Sequence, residues 1–524
     1  MSNWIHPTVL TFELIAISVV IAGTLGTLGA WASHVLSRGN RFQRKLNQLI
    51  LATHIMIVFS PLILHAVAWE STAGKFGITM LTQTGVRVTA GASYSFFAGL
   101  IATSWIHGIT GASLVCVATY IGTSRLPNAM IENGRLEMGD QRLWWRLRLP
   151  LARNWWISSL LGTAMMAATE MTIADLYGCR TLADHFYLLY AANPDPQSIL
   201  ITCVVPLTIL VGGSLWWSTS RQRHLAVHTR LDGDRESQEQ GPFQTHASLH
   251  DTKLVRSLAL TISLSMLTLT VCVPLLSILL KLGQTVQLIN GDVTSNWSIS
   301  VLLARLIEAP STFFDEYLWT IILASFTGSL ALLIGWPMAA YGRTAPAVRR
   351  LFDFSTLGIA VIPGPVIAIS IIELFQISVP GFATLYQRSI FPTSIALLAR
   401  ALPITYWILR VGYSTLPDQL LEASALERGT LQRLIKMDRH LIFGFIIQAW
   451  LASCLFASGD VPASLPVLPP GMTTVGSRLF GLLHSGARFQ EAALAFWYLL
   501  AISLLGWSLI RLLDKTSQAT ERAK

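Results

Sequence analysis

The chain has 524 residues, of which 52% are hydrophobic and 12% are charged, and its mean hydropathy is +0.54. A soluble domain carries about 25% charged residues, so this composition excludes an ordinary soluble protein and indicates an integral membrane protein. The formal net charge of +9 does not point to nucleic acid, because in a membrane protein the positions of Lys and Arg carry more information than their sum. The five cysteines form no Cys-x-x-Cys pair, so we expect no disulfide framework, no metal site and no cofactor.

Many apolar runs in the chain are long enough to cross a bilayer as helices, which takes about 20 residues each. Lipid cannot satisfy open backbone groups, so the spans are expected to be helical. We therefore predict an all-α polytopic membrane protein with eleven spans. In chain order they are 10–35, 46–69, 92–122, 154–177, 198–218, 255–280, 316–340, 351–376, 390–413, 441–463 and 489–510.

A polar segment divides the chain into two parts. Residues 221–253 are mixed in charge and lack apolar periodicity, as a connecting linker does. The sequence thus predicts a first half over 1–220 with five spans and a second half over 254–524 with six.

Lysine and arginine are distributed unevenly between the two sides of the predicted bundle. If the N-terminus lies outside, 27 of the 37 fall in inward connections and eight in outward connections. The positive-inside rule then predicts an external N-terminus, a cytoplasmic linker and a cytoplasmic C-terminus.

The two halves contain a weak internal repeat, in which residues 126–150 align with 416–440 at a constant offset of 290. The matched pairs are Leu126/Leu416, Pro127/Pro417, Glu132/Glu422, Leu136/Leu426, Glu137/Glu427, Gly139/Gly429 and Glu170/Asp460, with Trp31/Trp336 at an offset of 305. Both loops fall on the predicted inner side, so the repeat is parallel. Two similar halves with a path between them are a transporter-like plan.

The second copy of this loop predicts a short helix. Pro417 suits a first helical turn, Ser414 or Thr415 can cap it, and Gly429 can end it in a left-handed conformation. Such a helix is too short to span the membrane. It needs a protein surface against which to bury its mildly apolar face.

At these residues the chain resembles the permease subunits of type I ABC importers, whose cytoplasmic loop reads Glu-Ala-Ala-x-x-x-Gly. Here the motif is Glu422, Ala423 and Ser424, with Arg428 at the usual glycine position and Gly429 one place later. Residues 459–486 are similar to the corresponding segment of fused two-half permeases of the ferric iron and thiamine branch.

The first copy of the loop departs further from the family motif, since Asn133 and Gly134 replace the two alanines. A glycine inside a helix costs about 1 kcal/mol relative to alanine. We expect the first loop to couple less tightly, or to be ordered only by its partner.

The resemblance implies the type I importer fold in the inner cell membrane and a transport component rather than an enzyme. A cytoplasmic ABC ATPase dimer and a periplasmic or extracytoplasmic solute-binding protein would be its partners. The coupling residues it assigns are Leu126, Pro127, Glu132 and Gly139 in the first loop and Leu416, Pro417, Glu422, Ala423, Ser424 and Gly429 in the second. The 524 residues contain no Gly-x-x-x-x-Gly-Lys-Ser/Thr motif, so ATP hydrolysis is expected on a separate subunit. Ferric iron is the leading solute, followed by thiamine or another small anionic or chelated solute.

Two other classes of protein stay open. An ion- or proton-driven secondary transporter would need no ATPase, but it would normally have broken helices with ionisable groups at mid-membrane, and the sequence indicates few. A membrane-embedded enzyme would need catalytic His, Asp or Ser clustered at one membrane face, and no such cluster is repeated.

Acidic residues inside spans are functional candidates, so Glu170 and Asp460 are predicted to line or gate the path, the alternative being interfacial carboxylates. Arg400 and Arg410 are interpreted as interfacial anchors or partners of loop carboxylates. Three histidines in apolar runs are expected to be hydrogen-bonded packing residues rather than ferric ligands: His54, His65 and His107.

Overall fold

The structure is a computed structural model that describes residues 5–73, 92–126, 128–192, 253–289, 292–414, 416, 438–485 and 489–522. In the first half the helices are α1 Ile5–Ser37, α2 Arg41–Phe59, α3 Leu62–Ala73, α4 Ala92–Ser124, α5 Asn128–Glu137, α6 Asp140–Leu143, a π-helical turn Trp144–Arg148, α7 Leu149–Leu151, α8 Arg153–Thr169, α9 Thr172–Leu176 and α10 Leu182–Ala192. In the second half the elements are α11 Lys253–Leu267, a π-helical turn Thr268–Cys272, α12 Val273–Gly283, β1 Gln284–Ile289, β2 Asp292–Trp297, α13 Ile299–Thr312, α14 Phe314–Thr344, α15 Pro346–Val361, α16 Gly364–Gln376, α17 Phe382–Arg388, α18 Phe391–Ser414, α19 Arg439–Leu441, α20 Phe443–Gly459, α21 Val461–Ser464, a 3-10 turn Leu465–Val467, α22 Val475–Ser485 and α23 Gln490–Arg522.

The described part of the chain is a helical membrane protein with several spans. Six helices are long and apolar enough to cross a bilayer, and three bent helix pairs would raise the number to nine. The all-α, multi-span class is therefore confirmed. The count of eleven stays a prediction, because 198–218 lies outside the described residues and α8, in 154–177, has only 17 residues.

Three spans predicted as continuous are broken. The chain bends by 105° between α2 and α3, by 101° between α15 and α16, and by 69° after α20. The first two breaks occur at Ser60 and Ile362, which are extended and precede Pro61 and Pro363. Proline disfavours the helical conformation of the residue before it, so these prolines explain two of the three departures from a single span.

The same order of elements occurs in each half. A long helix (α1 or α14) is followed by a bent pair, a second long helix (α4 or α18), and a 17-residue helix (α8 or α20) that leads into a short one. The long helices of each half approach closely at glycines. A Cβ atom on Gly26 would lie 2.6 Å from the Ala112 carbonyl oxygen, and one on Gly335 would lie 3.0 Å from Thr405 Cγ2.

The second half begins with a predicted span, followed by a hairpin and a helix that the span predictions did not include. The helix over 253–283 packs against α1 and α3 of the first half. It leads into an antiparallel hairpin in which Gln284 pairs with Trp297, and then into α13. Lys281 at the end of α12 forms a buried ion pair with Glu491 at the start of α23. This pair joins the end of α12 to the start of α23.

Candidate solute path and coupling loops

A cavity of about 430 Å³ lies between the two halves. The first half contributes the bend between α2 and α3, one face of α4 and the end of α8, and the second half contributes α18 and the end of α20. The walls are mostly apolar, with Met165 and Met166 on one side and Leu455 and Phe456 on the other. The charged residues in the described lining are Glu170, Arg400 and Asp460.

Arg400 connects four groups at this wall. Its Nε donates to Asp460 Oδ2 at 2.8 Å, and its Nη1 donates to the carbonyl oxygens of Ala360 at 3.2 Å and Ile362 at 3.1 Å. Its Nη2 donates to Thr169 Oγ1 of the first half at 3.2 Å. The two carbonyl oxygens lie at the broken end of α15, where helical acceptors lack intrahelical donors. The guanidinium thus donates hydrogen bonds to the free carbonyl oxygens at the end of α15, and it also bridges the two halves.

Glu170 and Asp460 occupy corresponding places in the two halves. Each follows a 17-residue helix and accepts hydrogen bonds from the backbone of the short helix after it. Glu170 accepts from the N–H groups of Thr172 at 2.7 Å and Ile173 at 3.0 Å, and Asp460 accepts from Ala463 at 3.0 Å. A carboxylate at a helix start is stabilised by the free N–H groups and the helix dipole. The structure places both residues on the cavity, while their role in a path or gate stays a prediction.

The three histidines of the apolar runs are hydrogen bonded, as predicted. His54 Nδ1 lies 3.0 Å from Ser113 Oγ, and His65 Nε2 lies 2.5 Å from Ser60 Oγ. His107 Nδ1 donates to the carbonyl oxygen of Thr103 at 2.8 Å, which leaves its Nε2 3.8 Å from Glu170 Oε2. Within the described residues no group of three His, Cys, Asp or Glu could hold a metal ion.

Most coupling residues assigned from the sequence lie outside the described residues: Pro127, Pro417, Glu422, Ala423, Ser424 and Gly429. Leu126 and Leu416 lie at the loop starts, and Glu132 is exposed on α5. Gly139 has extended backbone (φ −62°, ψ 153°) and precedes α6. A Cβ atom on Gly134 would lie 2.6 Å from Leu143 Cδ1, so an alanine there would require that leucine side chain to shift.

A tryptophan and an arginine seven residues apart lie at the end of the long helix of each half, and they bind at or near the segments that the internal repeat aligns. In the first half, Trp31 Nε1 donates to Gln141 Oε1 at 2.7 Å and Arg38 Nη1 donates to Asp140 Oδ1 at 3.2 Å. In the second half, Trp336 Nε1 donates to the Tyr413 hydroxyl at 3.0 Å and Arg343 Nη2 donates to the Leu416 carbonyl oxygen at 3.4 Å. The ends of α1 and α14 are thus fastened to the two segments that the internal repeat aligns.

The interpretation of the two span arginines was wrong in its choice of partner. Arg400 pairs with Asp460 at the cavity rather than with a loop carboxylate. Arg410 Nη1 lies 2.7 Å from Asp353 Oδ1, which also accepts from the Tyr406 hydroxyl at 2.7 Å. Asp353 belongs to α15, inside a predicted span, and apolar periodicity alone gave no signal for either pairing.

In comparisons with known proteins, no family model matches the chain and no curated protein matches it significantly. Fold and site together define a helical membrane protein whose two similarly ordered halves enclose a small, mostly apolar cavity with three charged residues in its described wall.

Proposed function

We propose that this chain is the permease of a binding-protein-dependent, ATP-driven importer of the type I ABC class, in the inner cell membrane with its loops on the cytoplasmic side. The observation that carries the proposal is the cavity between the halves, bridged by Arg400 from the Asp460 side to Thr169. A site made jointly by two halves changes its access when the halves move relative to each other.

The fastened loops support coupling to an external motor. In the first half Trp31 and Arg38 join the end of α1 to the loop segment. In the second half Arg343 joins α14 to Leu416, and Trp336 joins it to the end of α18. A push on either loop by a docked ATPase dimer would therefore be transmitted to α1 or α14, and from there to the cavity wall. The solute-binding protein would deliver its ligand at the opposite end of the bundle.

The cavity favours a small solute with an apolar or chelated surface. Its volume of about 430 Å³ lies within the usual range of small-molecule sites, roughly 300–1,000 Å³. Its described charges are two carboxylates and one guanidinium, and Arg400 is already paired with Asp460. This donor set suits an organic or chelated solute, such as a thiamine-like molecule or a ferric complex, better than a bare ferric ion.

An ion-driven secondary transporter is the second candidate, and one observation favours it. Glu170 lies at a helix break on the cavity with His107 Nε2 3.8 Å away. Buried ionisable groups at interrupted helices are the usual parts of proton- or sodium-coupled carriers. In the importer proposal the same carboxylate has a positioning role, as the cap of α9.

Co-purification of an ATPase tests the proposal. The full chain, tagged and isolated in mild detergent from cells expressing its neighbouring genes, should carry an ATPase whose activity remains with it. Glu422→Lys and Gly429→Pro should abolish that activity without reducing the amount of chain in the membrane. Glu308→Lys, on an exposed site of α13, is the matched charge-reversal control. ATPase retained equally by all variants, or by none including wild type, would contradict the docking role.

A further inference from the structure

Two buried hydrogen-bond donors near the first loop have no acceptor. The Trp144 indole Nε1 and the Arg148 Nε have no hydrogen-bond partner among the described residues. Arg148 is only 4% exposed and Trp144 only 1%. Buried polar groups are nearly always hydrogen bonded, and residues four apart on a helix lie on the same face. Two unsatisfied donors on one face indicate a missing acceptor.

The charges around Arg148 specify an anion. Arg38 and Arg135 both bind Asp140, at 3.2 Å and 3.1 Å. Both guanidinium groups also act on Arg148 through their charge. Burial, followed by the charges of Arg38 and Arg135, lowers the pKa of Arg148 to about 10. The group still carries its charge at neutral pH and its buried Nε donor lacks an acceptor, so a bound anion would satisfy the charge and the donor together.

At the one aligned position that the structure describes, the second half has an acid in place of Arg148. The residue aligned with Arg148 by the 290-residue offset is Asp438, which is also buried but accepts a hydrogen bond from the Tyr413 hydroxyl at 3.0 Å. The aligned position is therefore a buried arginine in the first copy of the repeat and a buried aspartate in the second.

The cluster lies where lipid headgroups are expected. Trp145, in the same turn as Arg148, and Trp155, at the start of α8, are both exposed, and the Arg125 guanidinium lies 5.2 Å from the centre of a Trp155 ring. Exposed tryptophans flanking a span mark the headgroup level of a membrane protein. Basic pockets between helices at this depth recognise anionic headgroups.

We propose that the phosphate of an anionic phospholipid headgroup binds to Arg38, Arg135 and Arg148 and accepts the indole N–H of Trp144. The partly exposed side chains of Arg38 (27%) and Arg135 (39%) provide the approach from the surface. Guanidinium groups bind phosphate with paired, charge-assisted hydrogen bonds. The same chemistry would accept free inorganic phosphate, and a carboxylate from a protein partner is the competing explanation.

The test is lipid-dependent stability of the full chain. Protein purified in an uncharged detergent and stripped of lipid is melted with dioctanoyl phosphatidylglycerol, dioctanoyl phosphatidylcholine or sodium phosphate, and bound lipid is counted by native mass spectrometry. We expect phosphatidylglycerol to raise the Tm of wild type and to bind it about tenfold more tightly than Arg148→Gln, the loss expected for one charged hydrogen-bond partner. Without lipid, Arg148→Gln should melt no lower than wild type, because it removes an unpaired buried charge.

Arg146→Gln is the matched control, since Arg146 is exposed two residues away and should keep the phosphatidylglycerol response. If sodium phosphate alone reproduces the stabilisation, the site binds phosphate and its ligand is inorganic phosphate rather than a lipid headgroup. Equal responses of wild type and Arg148→Gln, or no response to either phosphate ligand, overturn the proposal. Loss of a co-purifying ATPase in Arg148→Gln without any lipid response would assign the site to a protein carboxylate instead.

Should Arg148→Gln fail to fold, the double variant Arg38→Gln/Arg135→Gln replaces it, because both side chains are partly exposed. Loss of the phosphatidylglycerol response in this variant supports the lipid site. An unchanged response contradicts it.

Discussion

Arg400 and Asp460 form an ion pair with an Nε–Oδ2 distance of 2.8 Å at the wall of the cavity between the two halves. Asp460 also caps α21, and Arg400 also binds the carbonyl oxygens at the end of α15. The break before α21 and the break after α15 therefore meet at one charged pair. The first half has Glu170 in the place of Asp460, but the only positively charged residue in the described lining is Arg400.

This asymmetry predicts different costs for two matched substitutions. Asp460→Asn leaves the buried Arg400 guanidinium without its counter-charge, which costs about 3–5 kcal/mol of unfolding free energy. Glu170→Gln keeps one acceptor for the α9 N–H groups and loses about 0.5–2 kcal/mol, the usual value of a cap. Denaturation of both variants in the same detergent measures the difference. Equal losses would show that the Arg400 pair contributes nothing specific.

Replacing both partners separates stability from transport. Arg400→Met alone should lose about 3–5 kcal/mol, whereas Arg400→Met/Asp460→Leu should recover much of that loss, because an apolar pair of similar volume often substitutes for a buried ion pair. Solute uptake should stay abolished in the double variant, since the bridge to Thr169 is gone. If the double variant recovers solute uptake together with stability, Arg400 is not required for transport.

A histidine at the end of the bundle away from the loops predicts a pH-dependent contact between the halves. His484 Nε2 on α22 lies 3.2 Å from Asp175 Oδ2 on α9, and the hydrogen bond to Asp175 raises the pKa of His484 above its ordinary 6.5. The contact is therefore fully present below about pH 6.5 and is lost as the pH rises through the raised value. Wild type should lose more Tm than His484→Gln between pH 6 and pH 9.

The comparison with His484→Gln is needed because another group titrates in the same range. Burial raises the pKa of Asp184 on α10 to about 7, and this carboxyl also weakens the fold as the pH rises. Only the difference between the two proteins reports on His484. The pair is partly exposed, so high salt should shrink the difference, and identical pH profiles would contradict the contact.

The close approach of α1 to α4 predicts a position-specific packing cost. A Cβ atom on Gly26 would lie 2.6 Å from the backbone oxygen of Ala112, which cannot swing away as a side chain could. Gly26→Val should therefore cost about 1–3 kcal/mol or more through overpacking. Gly358→Val is the control, because nothing lies within 4 Å of a Cβ atom there. A similar Tm for the two variants would argue against the close contact.

The class of fold could be predicted from the sequence because a long apolar run can satisfy its backbone hydrogen bonds in lipid by forming a helix. Nine of the predicted spans correspond to spanning helices or bent pairs in the described residues. The bends could not be located by hydropathy, since Ser60 and Ile362 lie inside apolar runs. The prolines that follow them indicate a helix end. Hydropathy averaged over a whole span does not show this signal.

The site could be predicted only in part. The repeat offset selected Glu170 and Asp460, and both lie on the cavity. The partners of Arg400 and Arg410 were missed because an apolar run indicates where along a span a charged residue lies. It does not indicate which neighbouring helix the side chain faces. The hairpin and α13 were missed because their region was interpreted as a simple connection. Residues 417–437, most of the stronger copy of the predicted coupling loop, lie outside the described residues.

Solute uptake by proteoliposomes tests the central claim most directly. The vesicles contain the purified chain with its co-purifying ATPase, and the solute is supplied with the binding protein encoded beside it. We predict uptake that requires internal ATP and does not occur when the chain alone is given a proton or sodium gradient. Gradient-driven uptake by the chain alone, abolished by Glu170→Gln, would contradict this account and establish an ion-driven carrier.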